Sequence, residues 1–171
     1  MKIYTKTGDQ GQTDLMQRRV TKADLHISVN GSIDETMATI LIAKHEIEDP
    51  SVLSDLDRIH GYLFDAAHEI ALDDDQERLI EPERTTWVEQ KIDELQGRLP
   101  VLKKFIRLDR TKAASALNMV RVTMRRAERE LILLNNEKPL NPDLLAMFNR
   151  LSDYFFVLGR TFNRTDRDQS L

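Results

Sequence analysis

Residues 113–134 read AASALNMVRVTMRRAERELILL, and within them Ala113, Leu117, Val120, Met124, Ala127, Leu131 and Leu134 recur at alternating steps of four and three. That spacing lines one side of an α-helix, so the stretch predicts a long amphipathic helix with a bundle-type seam. Near the C-terminus Leu144, Phe148, Leu151, Phe155, Leu158 and Phe162 repeat the pattern. Leu53, Leu56, His60, Leu63, Ala67 and Ile70 make a third series, and Val88, Ile92, Leu95 and Leu99 a shorter fourth. Ile33, Met37, Ile40 and Ile47 fit a helix over about 32–47. Five helices with short connections predict an all-α, five-helix antiparallel bundle.

The punctuation between the series agrees. Asp49-Pro50-Ser51 separates the first two helices, with Ser51 expected as the N-cap of the second. Leu72 to Glu81 reads as an acidic connection, Pro82 precedes the third helix and Pro100 ends it. Asn135 to Pro139 is expected to break the fourth helix from the fifth, which Asn141-Pro142 opens. The chain reads as one domain over 1–171: a non-helical arm over 1–30, the bundle over 31–165 and a frayed tail over 166–171.

Composition narrows the function classes. The 171 residues hold no cysteine, which excludes a disulfide framework, a thiolate metal site and a cysteine nucleophile. A net charge of −4 argues against a general nucleic-acid binder. No apolar run approaches the ~18 residues of a membrane span, and Met1 to Lys6 lacks the apolar core of a signal peptide, so a cytoplasmic protein is expected. The four histidines do not form a ligand set, and no metal-ligating residues are expected. His60 falls on an apolar seam, where a core histidine is expected, and His26 and His45 are isolated in sequence.

The N-terminal arm breaks the helical pattern. Thr5-Lys6-Thr7-Gly8-Asp9-Gln10-Gly11-Gln12-Thr13 has no helical period, and Arg18-Arg19-Val20-Thr21-Lys22 follows it. Two glycines let successive backbone N–H groups converge on an anion, and the threonines, Lys6, Arg19 and Lys22 add donors and charge. This inventory can hold a polyphosphate, although the G-x-x-x-x-G-K-[ST] spacing is absent. It equally suits a plain hairpin with Gly-containing turns. On the fourth helix Arg121, Arg125 and Glu128 form a stripe about a quarter-turn from the apolar seam. By itself that stripe is what a solvated Arg/Glu face looks like. Asp34 near the start of the first helix and Asn149 on the fifth read alone as a first-turn acid and a packing residue.

Taken in order, Thr5-Lys6-Thr7-Gly8-Asp9-x-Gly11-x-Thr13, Arg121-x-x-x-Arg125-Arg126-Ala127-Glu128-Arg129 and Asn149-Arg150-Leu151-Ser152-Asp153-Tyr154 resemble the PduO-type ATP:cob(I)alamin adenosyltransferases. Leu63-Phe64-Asp65, Leu99-Pro100 and Phe105 extend the resemblance over nearly the whole chain. It implies a homotrimer with sites between subunits that transfers the 5′-deoxyadenosyl group of ATP to cob(I)alamin and releases triphosphate. It implies that Thr5, Lys6, Thr7, Gly8, Asp9, Gly11, Thr13, Arg19 and Lys22 wrap the triphosphate. Arg125 and Asn149 would contact ATP, and Glu128 would fix the nucleotide and its Mg²⁺ environment. Asp34 and Arg121 would form an ion pair on the corrinoid side, and Phe105 would cover the lower face of cobalt. A reductase and a B12-dependent acceptor enzyme are the implied partners.

Three departures accompany the resemblance: Leu108-Asp109-Arg110 where Pro-Gly-Gly is common, Asn118 where a His is common, and Thr36-Met37 where Leu-Asn is usual. They motivate an alternative, a catalytically impaired paralogue that binds ATP or adenosylcobalamin as a sensor or delivery module.

Overall fold

The computed structural model describes residues 2–16, 18–73 and 77–163; the expected tail, and three residues of the acidic connection, lie outside these. The described residues form a two-stranded hairpin, β1 (Gln12–Leu15) and β2 (Arg18–Thr21), and five helices. The helices are α1 (Leu25–Lys44), α2 (Pro50–Leu72), α3 (Pro82–Gln96), α4 (Lys112–Glu137) and α5 (Pro142–Phe162). The bundle expected from periodicity is therefore present, and its element boundaries differ where a polar side chain captures a helix end.

Helix α1 begins at Leu25, well before 32, because Asp24 is extended and accepts the His26 N–H at 2.9 Å. The non-helical arm accordingly ends near residue 24, not 30. Asp49, not Ser51, caps α2: its carboxylate accepts the N–H groups of Ser51 at 2.8 Å and Val52 at 3.4 Å, with Pro50 in the first turn. The buried stripe of α2 runs through Leu56, Ile59, Leu63, Ala66 and Ile70, so His60 lies half-buried beside the seam, not on it. Helix α3 stops at Gln96, four residues before Pro100. A tight turn at Gly97 to Leu99 takes over, with Arg98 N–H on Leu95 O at 3.2 Å and Leu99 N–H on Gln96 O at 3.0 Å. Helix α4 runs through the two asparagines to Glu137. Asn135 does not break it but ties its end down, accepting the Leu140 N–H at 2.9 Å. Asn141 opens α5 as expected, accepting the Asp143 N–H at 3.0 Å while its Nδ2 donates to Ile80 O at 2.8 Å.

The core is one apolar cluster in which α4 packs on α1 and α5, α3 on α5, and α2 on α1. Leu117, Met124 and Leu131 of α4 meet it together with Phe148, Leu151 and Phe155 of α5, all fully buried. Helices α1 and α4 run antiparallel, since Ser28 Oγ donates to Glu130 at 2.8 Å while Thr39 and Thr123 hydroxyls meet at 3.1 Å. Buried Glu69 holds the connection before α3, accepting the N–H groups of Leu79 at 2.6 Å and Ile80 at 2.8 Å. Thr111 joins two helix ends: its hydroxyl accepts the Ala114 N–H at 3.0 Å and donates to Phe162 O at 2.8 Å. Thr111→Ala removes both the cap and the tie and should cost about 1–2 kcal/mol in a urea melt. A loss below the error of that melt would show that the α4–α5 junction does not depend on it.

Candidate functional site

The hairpin expected of the arm is present, and the Gly-containing segment is a loop laid on it. The register pairs Leu15 with Arg18, Asp14 with Arg19, Thr13 with Val20 and Gln12 with Thr21. Pleating therefore puts Thr13, Leu15, Arg18 and Val20 on one side and Gln12, Asp14, Arg19 and Thr21 on the other. Leu15 and Val20 are buried. On the opposite side Arg19 donates to Thr7 O, to Asp14 Oδ1 at 2.7 Å and to Gln12 Oε1 at 3.3 Å, binding the loop to the strands. The loop turns at Lys6 and Gly11, both left-handed with φ of 64° and 79°. A lysine in that region carries a cost of roughly 1–2 kcal/mol, of the kind that accumulates in ligand-binding loops. Gly8 leaves room for Lys22, whose Nζ lies 3.2 Å from where a Cβ would stand. Thr5 and Thr7 hydroxyls are 2.8 Å apart. Thr5, Lys6, Thr7, Gly8, Asp9, Gly11, Thr13, Arg19 and Lys22 thus belong to one structural unit, and Lys6 and Lys22 have no ion-pair partner among the described residues.

On the bundle, the α4–α5 packing brings Glu128 and Asn149 together. Their neighbours Ala127 and Phe148 are fully buried, which turns the two polar side chains to the mouth of the seam, where Asn149 Nδ2 donates to Glu128 Oε1 at 2.8 Å. Arg125 is exposed one turn away, its carbonyl accepting from Arg129 at 3.2 Å, and its side chain makes no hydrogen bond or ion pair among the described residues. Arg121 is half-buried, with Nε on Asn118 Oδ1 at 3.0 Å. Burial first, and the charge of Arg125 second, push the Arg121 guanidinium below its ordinary value, although an arginine stays protonated. Two cations facing each other at the edge of a core attract an anion. The expected Asp34–Arg121 ion pair is absent among the described residues. Asp34 is exposed on α1, and the α1–α4 ion pair is instead made by its neighbour Glu35 with Arg126.

Phe105 is fully exposed in the segment between α3 and α4. Its flanks are held: Leu108 is buried against Gly159, Asn163 donates to Arg107 O at 2.9 Å and accepts the Arg110 N–H at 3.1 Å, and Ser115 reaches Leu108 O at 3.3 Å. Leu108-Asp109-Arg110, the first departure, is therefore an anchored segment. Thr36, in the third departure, is fully buried and satisfies its hydroxyl on Ser32 O at 2.9 Å. Phe105 precedes α4, whereas the hairpin docks near the other end of that helix, beside Asp73 and Lys138. A helix of 26 residues spans about 39 Å, so Phe105 stands far from the arm.

A charged cluster at the hairpin's dock escaped the sequence reading. Asp73 ends α2 in the left-handed region (φ 53°, ψ 31°). It meets Arg18 Nη2 at 2.9 Å, His26 Nε2 at 3.1 Å and Lys138 Nζ at 2.9 Å. His26 Nδ1 lies 2.9 Å from Asp24. Only the Asp-x-His spacing at Asp24 was visible locally; the other partners are 47 to 65 residues apart and come together by packing alone. Burial raises the Asp73 carboxyl, but the Lys138 hydrogen bond and the nearby His26, Lys138 and Arg18 outweigh it, leaving it below its ordinary 3.8. Asp24 is lowered likewise, burial being outweighed by hydrogen bonds from His26 and the nearby Arg18. A carboxyl lowered on folding adds stability that is complete above its unfolded value and fades as pH falls through the folded one. The melting-temperature gap between the wild-type chain and Asp73→Asn should shrink as pH falls below about pH 4, where the wild-type carboxyl takes up its proton. A gap that stays constant from about pH 5 down to about pH 3 would contradict this.

Comparison with known proteins adds three findings. The cobalamin adenosyltransferase family model matches residues 3–162. The corrinoid adenosyltransferase of Bacillus subtilis is 36% identical over 95% of this chain and 87% of its own length. The Citrobacter freundii corrinoid adenosyltransferase PduO is also 36% identical, and the chain spans 49% of its length. A variant of the PduO-type ATP:corrinoid adenosyltransferase from Lactobacillus reuteri, solved with cobalamin and ATP, superposes with a TM-score of 0.86. It is 37% identical, with 95% of this chain and 93% of that chain covered.

Proposed function

Because the chain belongs to the cobalamin adenosyltransferase family, we propose that it transfers the 5′-deoxyadenosyl group of ATP to cob(I)alamin, yielding adenosylcobalamin and triphosphate. The observation that carries this reading is the superposition along nearly the whole chain on a relative solved with both cobalamin and ATP. In the reaction the reduced cobalt of the substrate supplies the electron pair of the new bond to C5′, the C5′–O bond breaks, and triphosphate leaves with the electron pair of that broken bond. No nucleophilic or acid–base side chain is needed. The protein's tasks are to aim C5′ at cobalt and to stabilise charge on the leaving group.

The site's chemistry supports that division. The arm's Thr5, Lys6, Thr7, Gly8, Asp9, Gly11, Thr13, Arg19 and Lys22 offer backbone donors, hydroxyls and cations to the triphosphate. Arg125 and Asn149 contact ATP from the bundle, and Glu128, fixed by Asn149, orients the nucleotide. Among the described residues no three acidic or histidine side chains gather as a metal cage. Mg²⁺ needs none when phosphates supply most ligands, so the Glu128 carboxylate and the triphosphate fit it. Phe105 covers the lower cobalt face, excluding the dimethylbenzimidazole ligand and water.

We assign the working form as a homotrimer. Along α4, Met119, Val122 and Leu133 lie exposed on one stripe, with Leu41 and Ile42 exposed on α1, and a second copy would cover this apolar surface. Assembly would also give Asp34 and Arg121 a way to pair between subunits and bring one protomer's Phe105 loop towards another's arm. The described helices include none long and apolar enough to cross a membrane. The proposed reaction calls for a reductase to supply cob(I)alamin and a B12-dependent acceptor for the product.

The test is an anaerobic assay with ATP, Mg²⁺ and chemically reduced cob(I)alamin, following the visible spectrum and triphosphate release, alongside light scattering of the purified chain. Stoichiometric adenosylcobalamin and triphosphate from a trimer are expected. Binding without turnover would move the chain to the sensor or delivery role.

A further inference from the structure

We infer that Arg18 and Asp73 are positioning residues for the N-terminal loop: their contact fastens one side of the hairpin so that Arg19, on the other side, holds the loop in place. The inference rests on the reading of that loop as the triphosphate cradle.

The geometry supplies the reason. A hairpin of two four-residue strands has little stability of its own, and the buried apolar side chains of this one are Leu15 and Val20. Arg18 stands on that same side and reaches Asp73 Oδ2 at 2.9 Å. Successive strand residues face opposite ways, so the position of Arg18 decides the position of Arg19, and a one-residue slip would exchange them. Arg19 in turn contacts Thr7, Asp14 and Gln12. Asp73 is also held by groups other than Arg18. Its other carboxylate oxygen meets His26 at 3.1 Å and Lys138 at 2.9 Å, and its backbone carbonyl accepts Lys138 Nζ at 3.0 Å. The groups around the pair come from three helices and the strand: Asp24 and His26 at the start of α1, Asp73 after α2, Lys138 after α4, and Arg18 on β2.

Asp73→Asn is the cleaner probe, because asparagine tolerates the left-handed backbone while losing the charge. Asp73→Asn and Arg18→Gln should each raise KM for ATP about two- to fivefold, the scale of a half-exposed ion pair, with kcat and corrinoid KM unchanged. The double variant should be no worse than either single one, and Arg18→Lys should recover part of the loss. Without ATP, amide exchange at Arg18 to Thr21 should quicken in both variants and stay unchanged in Lys91→Gln, which breaks the distant Lys91–Asp55 pair. Unchanged exchange and unchanged ATP KM would overturn the inference, as would an even loss across kcat and both KM values. If the wild-type chain shows no ATP-dependent turnover, the functional reading fails separately, and the exchange rates still decide whether the pair fastens the hairpin.

Discussion

Arg125→Ala should lower kcat/KM on the order of a hundredfold, the scale on which a single donor to developing negative charge acts. It should leave the fold almost untouched. The Arg125 side chain is exposed and makes no hydrogen bond or ion pair among the described residues, and its charge disfavours the protonated form of neighbouring Arg121. Its removal should therefore change stability by less than about 0.5 kcal/mol, or one to two degrees of melting temperature in a chain this long. Arg125→Lys should recover only part of the activity, since a point charge does not reproduce the planar guanidinium fork. Wild-type kcat/KM in Arg125→Ala would remove Arg125 from the site and with it the placement of ATP beside α4.

Phe105→Ala should separate function from folding as sharply. A phenylalanine with its whole side chain in solvent contributes no packing to the protomer, so the melting temperature should not move. Its proposed work is on the corrinoid, where an apolar ring keeps the lower ligand and water from cobalt. Activity should fall on the order of ten- to a hundredfold when the protein must accept cob(II)alamin and a reductant, and by much less with prereduced cob(I)alamin. Equal losses in the two assays would mean that Phe105 shapes the pocket without governing the lower face. A falling melting temperature would place it in a contact absent from the isolated protomer.

Much of this molecule is legible without coordinates, because two features depend on short-range spacing. The four-three recurrence of Ala113 to Leu134 and of Leu144 to Phe162 fixes which side of each helix is apolar, and α4 and α5 bury those residues, with Phe162 at the end of the series half-buried. Helix ends depend on single hydrogen bonds, which spacing does not reveal. Asp24 and Asp49 accept N–H groups that the apolar pattern says nothing about, so α1 starts early and α2 is capped two residues before Ser51. The same holds for Asn135, which resembles a helix breaker in composition and acts as a clasp on Leu140.

The sequence by itself determined the bundle, the non-helical Gly- and Thr-containing arm, and the residue types that a polyphosphate calls for. Tertiary structure decided which of them meet. Glu128 and Asn149 become neighbours because α4 and α5 pack through Ala127 and Phe148. Asp34 and Arg121 do not meet, because Glu35, one residue on, faces α4 and takes Arg126. Arg18, His26, Asp73 and Lys138 form one cluster though they lie on β2, on α1 and at the ends of α2 and α4. Periodicity reports the face a residue occupies on its own helix or strand; the partner across the gap is chosen by how those faces stack, and that information is spread over the whole chain.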